Sequence, residues 1–211
     1  YPGDITVRLE DGTVVETDQG RPAVHVVTQG GAISIEGAGA TLTTHNASGV
    51  AAYVEGAGDV RVKVGDVTAI SDNTGTTLRG VDTWTDHGDT VIDVGHVRTS
   101  GDYATGISAG SVSGAIKIQA KSVETDGYMA DGIFARSGGS IAINAGQIQT
   151  AGDESRGIVV DGGLGMISIK ADSIVTSGAA SDGVVATGGG LMFIDVKEIR
   201  GDGDHLWGVN A

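Results

Sequence analysis

The chain has 211 residues, no cysteine, 37 glycines and 2 prolines, with 27 acids against 13 bases for a formal net charge of −14. Collagen is excluded, because it needs glycine at every third position and much proline. So are a disulfide framework and a thiol nucleophile, and the basic surface that nucleic acid or anionic lipid would require.

The aliphatic content argues against disorder, while aromatics at 4% are few for a compact core of large side chains. No apolar run reaches the length of about 18 residues that a membrane-crossing helix needs. The opening "YPGDITVRLE" lacks an apolar signal-peptide core. The closing "HLWGVNA" stops inside a repeating pattern, so a piece of a longer protein is expected.

In chain order, apolar pairs open successive units at Ile5, Ile33, Val60, Thr90, Ile116, Ile141, Ile167 and Met192. The first two units fit least well, which leaves a capping or non-repeat role open for residues 1 to about 30. The third carries about five extra residues in "AISDNTGTTLRGVDTWTDHGD", which predicts an inserted loop within 70–89. The last five starts are 26, 25, 26 and 25 residues apart. A fixed period of this kind marks a solenoid.

One unit shows how the period is filled. In "IAINAGQIQTAGDESRGIVVDGGLGM", Ile141, Ile143 and Ala145 alternate with Ala142 and Asn144, the mark of a strand with one buried face. The phase breaks at "GQ", after which Ile148 and Thr150 point inward. "AGDESRG" is a turn cluster, Ile158 and Val160 form a third inward pair, and "DGGLGM" turns into the next unit.

A unit of this length makes one circuit of a narrow tube, and circuits stack about 4.8 Å apart by parallel pairing. The predicted fold is therefore all-β: a right-handed parallel β-helix of roughly eight coils, about 40 Å long, with three short strands per coil. A single domain over 1–211 is expected. Helix is disfavoured because glycine recurs every few residues, at about 1 kcal/mol each in a helix interior. An antiparallel sandwich would share the short strands but not the fixed period.

Aligned units give columns. One reads Val15, Leu42, Val67, Val97, Val123, Ile148, Ile174, Ile199. Two residues on come Thr17, Thr44, Ala69, Thr99, Thr125, Thr150, Thr176 and Gly201. A buried threonine at a corner can bond a backbone carbonyl or the threonine above it. Gly106, Gly132, Gly157, Gly183 and Gly208 precede the third strand, and a left-handed backbone is the expected reason. Ala109, Ala135, Ala186 and Ala211 follow, where the tube is expected to pinch.

The repeat "T-x-G-D-x-[AS]-x-G-I-x-A" followed by "G-G-x-I-x-I-x-A-G-x-I-x-T", best seen in "TAGDESRGIVV" and "SGGSIAINAGQIQT", resembles the repeats of bacterial autotransporter passenger domains. The resemblance covers most of the chain and is clearest from Thr90 onward. It implies export across the outer membrane by a C-terminal barrel and a place on the bacterial surface or in the medium. Adhesion or autoaggregation are the commonest roles it implies, with cytotoxin or protease activity in some members. The expected partner is a host or bacterial surface protein or glycan, or a second copy of the rod. Neither nucleic acid nor insertion of this segment into a membrane is expected.

Catalysis by a parallel β-helix needs clustered carboxylates, or a base beside calcium, on one face. Asp102, Asp153 and Asp204 share a column, but Tyr128 and Ala179 separate them, leaving neighbouring acids roughly 10 Å apart. They read as aspartates closing Asx-turns. The histidines fall in different units without metal-ligand spacing. The expectation is a non-enzyme without a cofactor, with weak calcium binding left open by the acidic surface.

Two candidates for binding remain. Trp84, Asp86, His87 and Asp89 lie in the expected loop, where an aromatic beside acids could stack on a sugar. Arg200, Gly201 and Asp202 spell the tripeptide that integrins read, although Gly201 occupies the threonine column and so places Arg200 on a strand. An alternative function is a β-helical carbohydrate-binding or carbohydrate-active domain.

Overall fold

The computed structural model describes residues 3–18, 20–72 and 77–211. They form an all-β parallel solenoid of two sheets. The first sheet has ten strands and the second eight, and within each the neighbours come from successive coils. The eight unit starts stack in register: Ile5 on Ile33, Val60, Thr90, Ile116, Ile141, Ile167 and Met192. The Val15-to-Ile199 and Thr17-to-Gly201 columns are likewise aligned. Ile5–Arg8, Val14–Thr17 and Val24–Thr28 pair with coil two as ordinary strands, so the first unit follows the repeat.

The three expected strands per coil are joined differently. The first two run on as one bent element, such as Ile116–Asp126 or Ile141–Ala151. At the bend two successive residues, Gly146 and Gln147, face outward between buried Ala145 and Ile148. The bend thus breaks the side-chain alternation, and the ladder skips Gly146 before resuming in the same register. The third strand, such as Ile133–Ser137, belongs to the second sheet. Coil two carries its extra length as a register shift between Gly37 and Thr41.

Among the described residues, the apolar part of the buried core is valine, isoleucine, leucine and alanine, with threonines and serines buried beside it. Each fully buried valine or isoleucine contributes about 2 kcal/mol relative to an exposed one. Each coil adds a similar set, so stability grows with the number of coils. The threonine column closes the first corner. Thr99 Oγ1 donates to the Ala104 carbonyl at 2.5 Å, Thr125 to Ala130 at 2.5 Å and Thr150 to Ser155 at 2.6 Å. The bond stays within one coil and does not run to the threonine above.

The glycines before the third strand have a different cause from the one expected. Their φ angles are not left-handed. A methyl group on Gly132 would lie 2.6 Å from the Gly157 carbonyl oxygen and 2.8 Å from Ile148 Cγ2. Close stacking of backbone on backbone requires glycine there. The left-handed positions sit earlier in the same corner, at Gly127 (φ 143°) and, two residues on, at Met129 (φ 51°). Tyr103, Glu154, Ala180 and His205 occupy Met129's place in other coils with φ of 53–61°. A non-glycine residue there costs on the order of 1 kcal/mol. The next coil holds it: Met129 N–H donates to the Asp153 carbonyl at 3.0 Å, and Glu154 N–H to Ala179 at 2.8 Å.

Candidate functional site

Among the described residues, no aromatic side chain belongs to the buried core. On the second sheet, outward positions make two adjacent columns. One runs Ala51, Asp82, Ser108, Phe134, Val159, and the other Tyr53, Trp84, Gly110, Arg136, Asp161. Small residues in coil four, Ser108 and Gly110, lie between larger ones in coils three and five. The result is a depression of about 260 Å³ bounded by Tyr53, Arg79, Asp82, Trp84, Phe134 and Arg136.

Its polar groups are ordered. Asp82 is buried; its Oδ2 accepts from Tyr53 Oη at 2.5 Å and from Arg79 Nη1 at 3.1 Å. Burial, reinforced by that bond and the charge of Asp82, pushes the Tyr53 phenol well above its ordinary range. Arg136 Nε pairs with Asp161 Oδ2 at 3.1 Å across the next coil boundary. The Trp84 ring lies on Gly110, where any side chain would collide with it. His25 extends the aromatic surface, meeting Tyr53 edge-on at 6.2 Å between ring centres.

Of the four residues expected in an inserted loop, Trp84 belongs to the strand Arg79–Thr85, and Asp86, His87 and Asp89 to the corner after it. The extra residues of coil three lie earlier, in 71–78, of which 73–76 fall outside the described residues. Asp86 joins Trp84: its Oδ1 accepts from Trp84 Nε1 at 3.0 Å and its Oδ2 from Gly56 N–H at 2.9 Å. His87 Nδ1 lies 3.2 Å from Ser113 Oγ. Asp89 ties coils together, since its Oδ1 accepts from Ala115 N–H at 2.8 Å. Asp86 and Asp89 therefore hold the frame, and Trp84 alone of the four lines the depression.

Sequence reasoning missed Tyr53, Arg79, Asp82, Ser108, Phe134 and Arg136. The signal was available in the outward columns, which follow from the same period as the inward ones.

The Asp102 column is also corrected. Asp102 Oδ1 accepts from Tyr128 N–H at 3.1 Å, and Asp153 Oδ1 from Ala179 N–H at 2.8 Å. Each carboxylate serves the next coil instead of closing its own turn. Above Asp102, Tyr103 and Tyr128 meet edge-on at 5.7 Å, and Tyr128 Oη bonds Glu154 Oε1 at 3.1 Å, which raises the phenol.

Arg200 and Gly201 end the short strand Ile199–Gly201, opposite Val175 and Thr176. Arg200 Nε bonds Glu198 at 2.8 Å, so the tripeptide is not presented at a loop tip. Among the described residues, no group of three or more His, Cys, Asp or Glu is placed to hold a metal ion. No protein-family model matches the chain, and neither a curated protein nor a solved structure matches it.

Proposed function

We propose that the chain is a segment of an exported bacterial surface rod that acts by attachment, and that it is not an enzyme. The observation that carries this reading is the distribution of aromatic side chains. Among the described residues the core holds none, while Tyr53, Trp84, Tyr103, Tyr128 and Phe134 gather on one sheet face and its neighbouring corner, with Phe193 and Trp207 exposed in the last coil. Aromatic side chains are enriched where proteins bind partners. The coils beneath act as a rigid scaffold that tolerates such surface variation. The autotransporter passenger class, a cell-surface location and a surface protein or glycan as partner are parts of the same proposal, supported by the resemblance of the repeat pattern. Bacteria displaying the rod should sediment and adhere faster than bacteria displaying a version lacking residues 1–211. Equal sedimentation and equal attachment would sink the reading.

A carbohydrate-binding domain without an adhesive role is the second reading, favoured by the depression beside Trp84. A carbohydrate-active version of it predicts shortened or unsaturated products from a panel of acidic and neutral polysaccharides.

A further inference from the structure

We propose that the notch over Ser108 and Gly110 binds a single neutral sugar ring of a surface glycan; this rests on the attachment reading and names its ligand class. The shape comes from the columns. Asp82 and Trp84 stand one coil to one side of Ser108 and Gly110, and Phe134 and Arg136 one coil to the other. The walls rise from backbones about 10 Å apart, two coil spacings. At about 260 Å³ the notch is smaller than the roughly 300–1,000 Å³ of drug-sized sites. One pyranose ring suits it, with the rest of a glycan leaving toward solvent.

The chemistry of the lining selects the ligand. Asp82 uses Oδ2 for Tyr53 and Arg79, while its Oδ1 has no protein partner among the described residues and can accept from a hydroxyl. Arg79 supplies further N–H donors beside it. A vicinal diol presents a donor and an acceptor together, which matches this pair. The floor adds the Ser108 side chain, in a residue only 9% exposed whose hydroxyl bonds no protein atom among the described residues. Phe134 and the Trp84 ring supply apolar surface for the C–H face of the sugar.

Charged ligands fit less well. An anion reaching the remaining Arg79 donors would lie beside the Asp82 carboxylate, and the net charge of −14 opposes its approach. A cation would face both Arg79 and Arg136. A neutral polyol avoids both penalties. Gly110 has a role of its own, because the Trp84 ring occupies the space that a side chain there would fill and so bounds one end of the notch.

The test uses the 211-residue chain carrying Trp207→Phe, which leaves Trp84 as its only tryptophan. Indole fluorescence and amide resonances are followed against the methyl glycosides of glucose, galactose, mannose and N-acetylglucosamine, with glucuronate and choline as charged probes. At least one neutral glycoside should saturate with a Kd of about millimolar, the range of a single ring. Its shifts should be confined to the notch and centred on Asp82, Trp84, Ser108 and Phe134. Asp82→Asn should weaken it roughly tenfold, and Phe134→Ala, on the opposite wall, decides alone if Asp82→Asn melts below the assay temperature. No saturation by any neutral glycoside, tighter binding of glucuronate or choline, or affinity unchanged in the folded variants each overturn the proposal. Attachment by a rod that binds no glycoside removes the notch and leaves the attachment reading. Glycoside binding with no loss of attachment on deletion does the reverse.

Discussion

Coil three and coils five and six share their columns but close the first corner by different means. In coils five and six the hydroxyls of Thr125 and Thr150 reach across to backbone carbonyls. In coil three the threonine is Ala69, which packs with Leu78 and Ala104 in a small apolar cluster of its own. The extra residues of this coil fall at the same corner. Its outer face carries Arg79, Asp82 and Trp84, whereas the matching face of coil six carries Val159 and Asp161. Irregular corner and distinctive face thus belong to one coil. A solenoid can specialise one coil because its neighbours need only a matching ladder above and below.

The comparison breaks first if coil three is looser than the coils around it. A side chain at Gly80 would lie 2.6 Å from the Gly106 carbonyl oxygen, the same approach that Gly132 makes to Gly157. Gly80→Val and Gly132→Val should therefore each cost about 3 kcal/mol, the upper range for overpacking. Gly208→Ala, where a methyl group meets nothing, should cost almost none. Urea midpoints measure all three. A mild Gly80→Val would show that the irregular corner relaxes the stack.

Next come the two buried acids. Asp131 accepts from the Arg156 backbone at 2.9 Å and from its Nε and Nη2 at 3.0 and 2.8 Å. Asp82 serves only side chains. Asp131→Ala should lose about 2 kcal/mol and Asp82→Ala about 1 kcal/mol, because only the former orphans a backbone donor. Equal losses in thermal unfolding would mean that Asp82 is structural rather than held ready for a ligand.

These contrasts show what could be read from the chain. The period, the eight unit starts and the inward columns were legible because a strand buried on one face writes its pattern every second residue. The reasons behind some columns were not. Glycine at 106, 132 and 157 is compatible with either left-handed φ or backbone contact, and only the stacking distance separates the two. Asp102 and Asp153 read as local turn formers because a sequence shows their neighbours along the chain and not the N–H one coil above. The notch was overlooked for a similar reason. Tyr53, Asp82, Ser108 and Phe134 are 26–29 residues apart in succession and converge only once the outward columns are laid side by side.

A smaller pair of effects should have opposite signs. Thr90 occupies the core column otherwise filled by isoleucine and valine in coils one to seven, and its buried Oγ1 has no partner. Thr90→Val should add about 1 kcal/mol by removing an unsatisfied hydroxyl. Thr125→Val should subtract about as much, since Thr125 Oγ1 holds the Ala130 carbonyl. Loss of stability in both would place an unseen partner on Thr90.

The smallest effect is seen at alkaline pH. Tyr53 is held protonated by burial and by Asp82, so its folded phenol titrates above the unfolded value of about 10. The folded state then keeps a proton that the unfolded state releases. Its contribution is complete below about pH 10 and declines as pH rises through the folded value. Tyr53→Phe should flatten that decline while changing neutral stability by less than about 1 kcal/mol. Tyr128 is raised chiefly by its bond to Glu154 in coil six, but it is solvent-exposed, where such pairs contribute little. Tyr128→Phe should therefore leave the alkaline slope almost intact. Stability measured against pH in the two variants separates the enclosed face of coils two and three from the open corner of coils five and six. If the larger change came from Tyr128→Phe, the Tyr53–Asp82 bond would not be the enclosed contact that the notch requires.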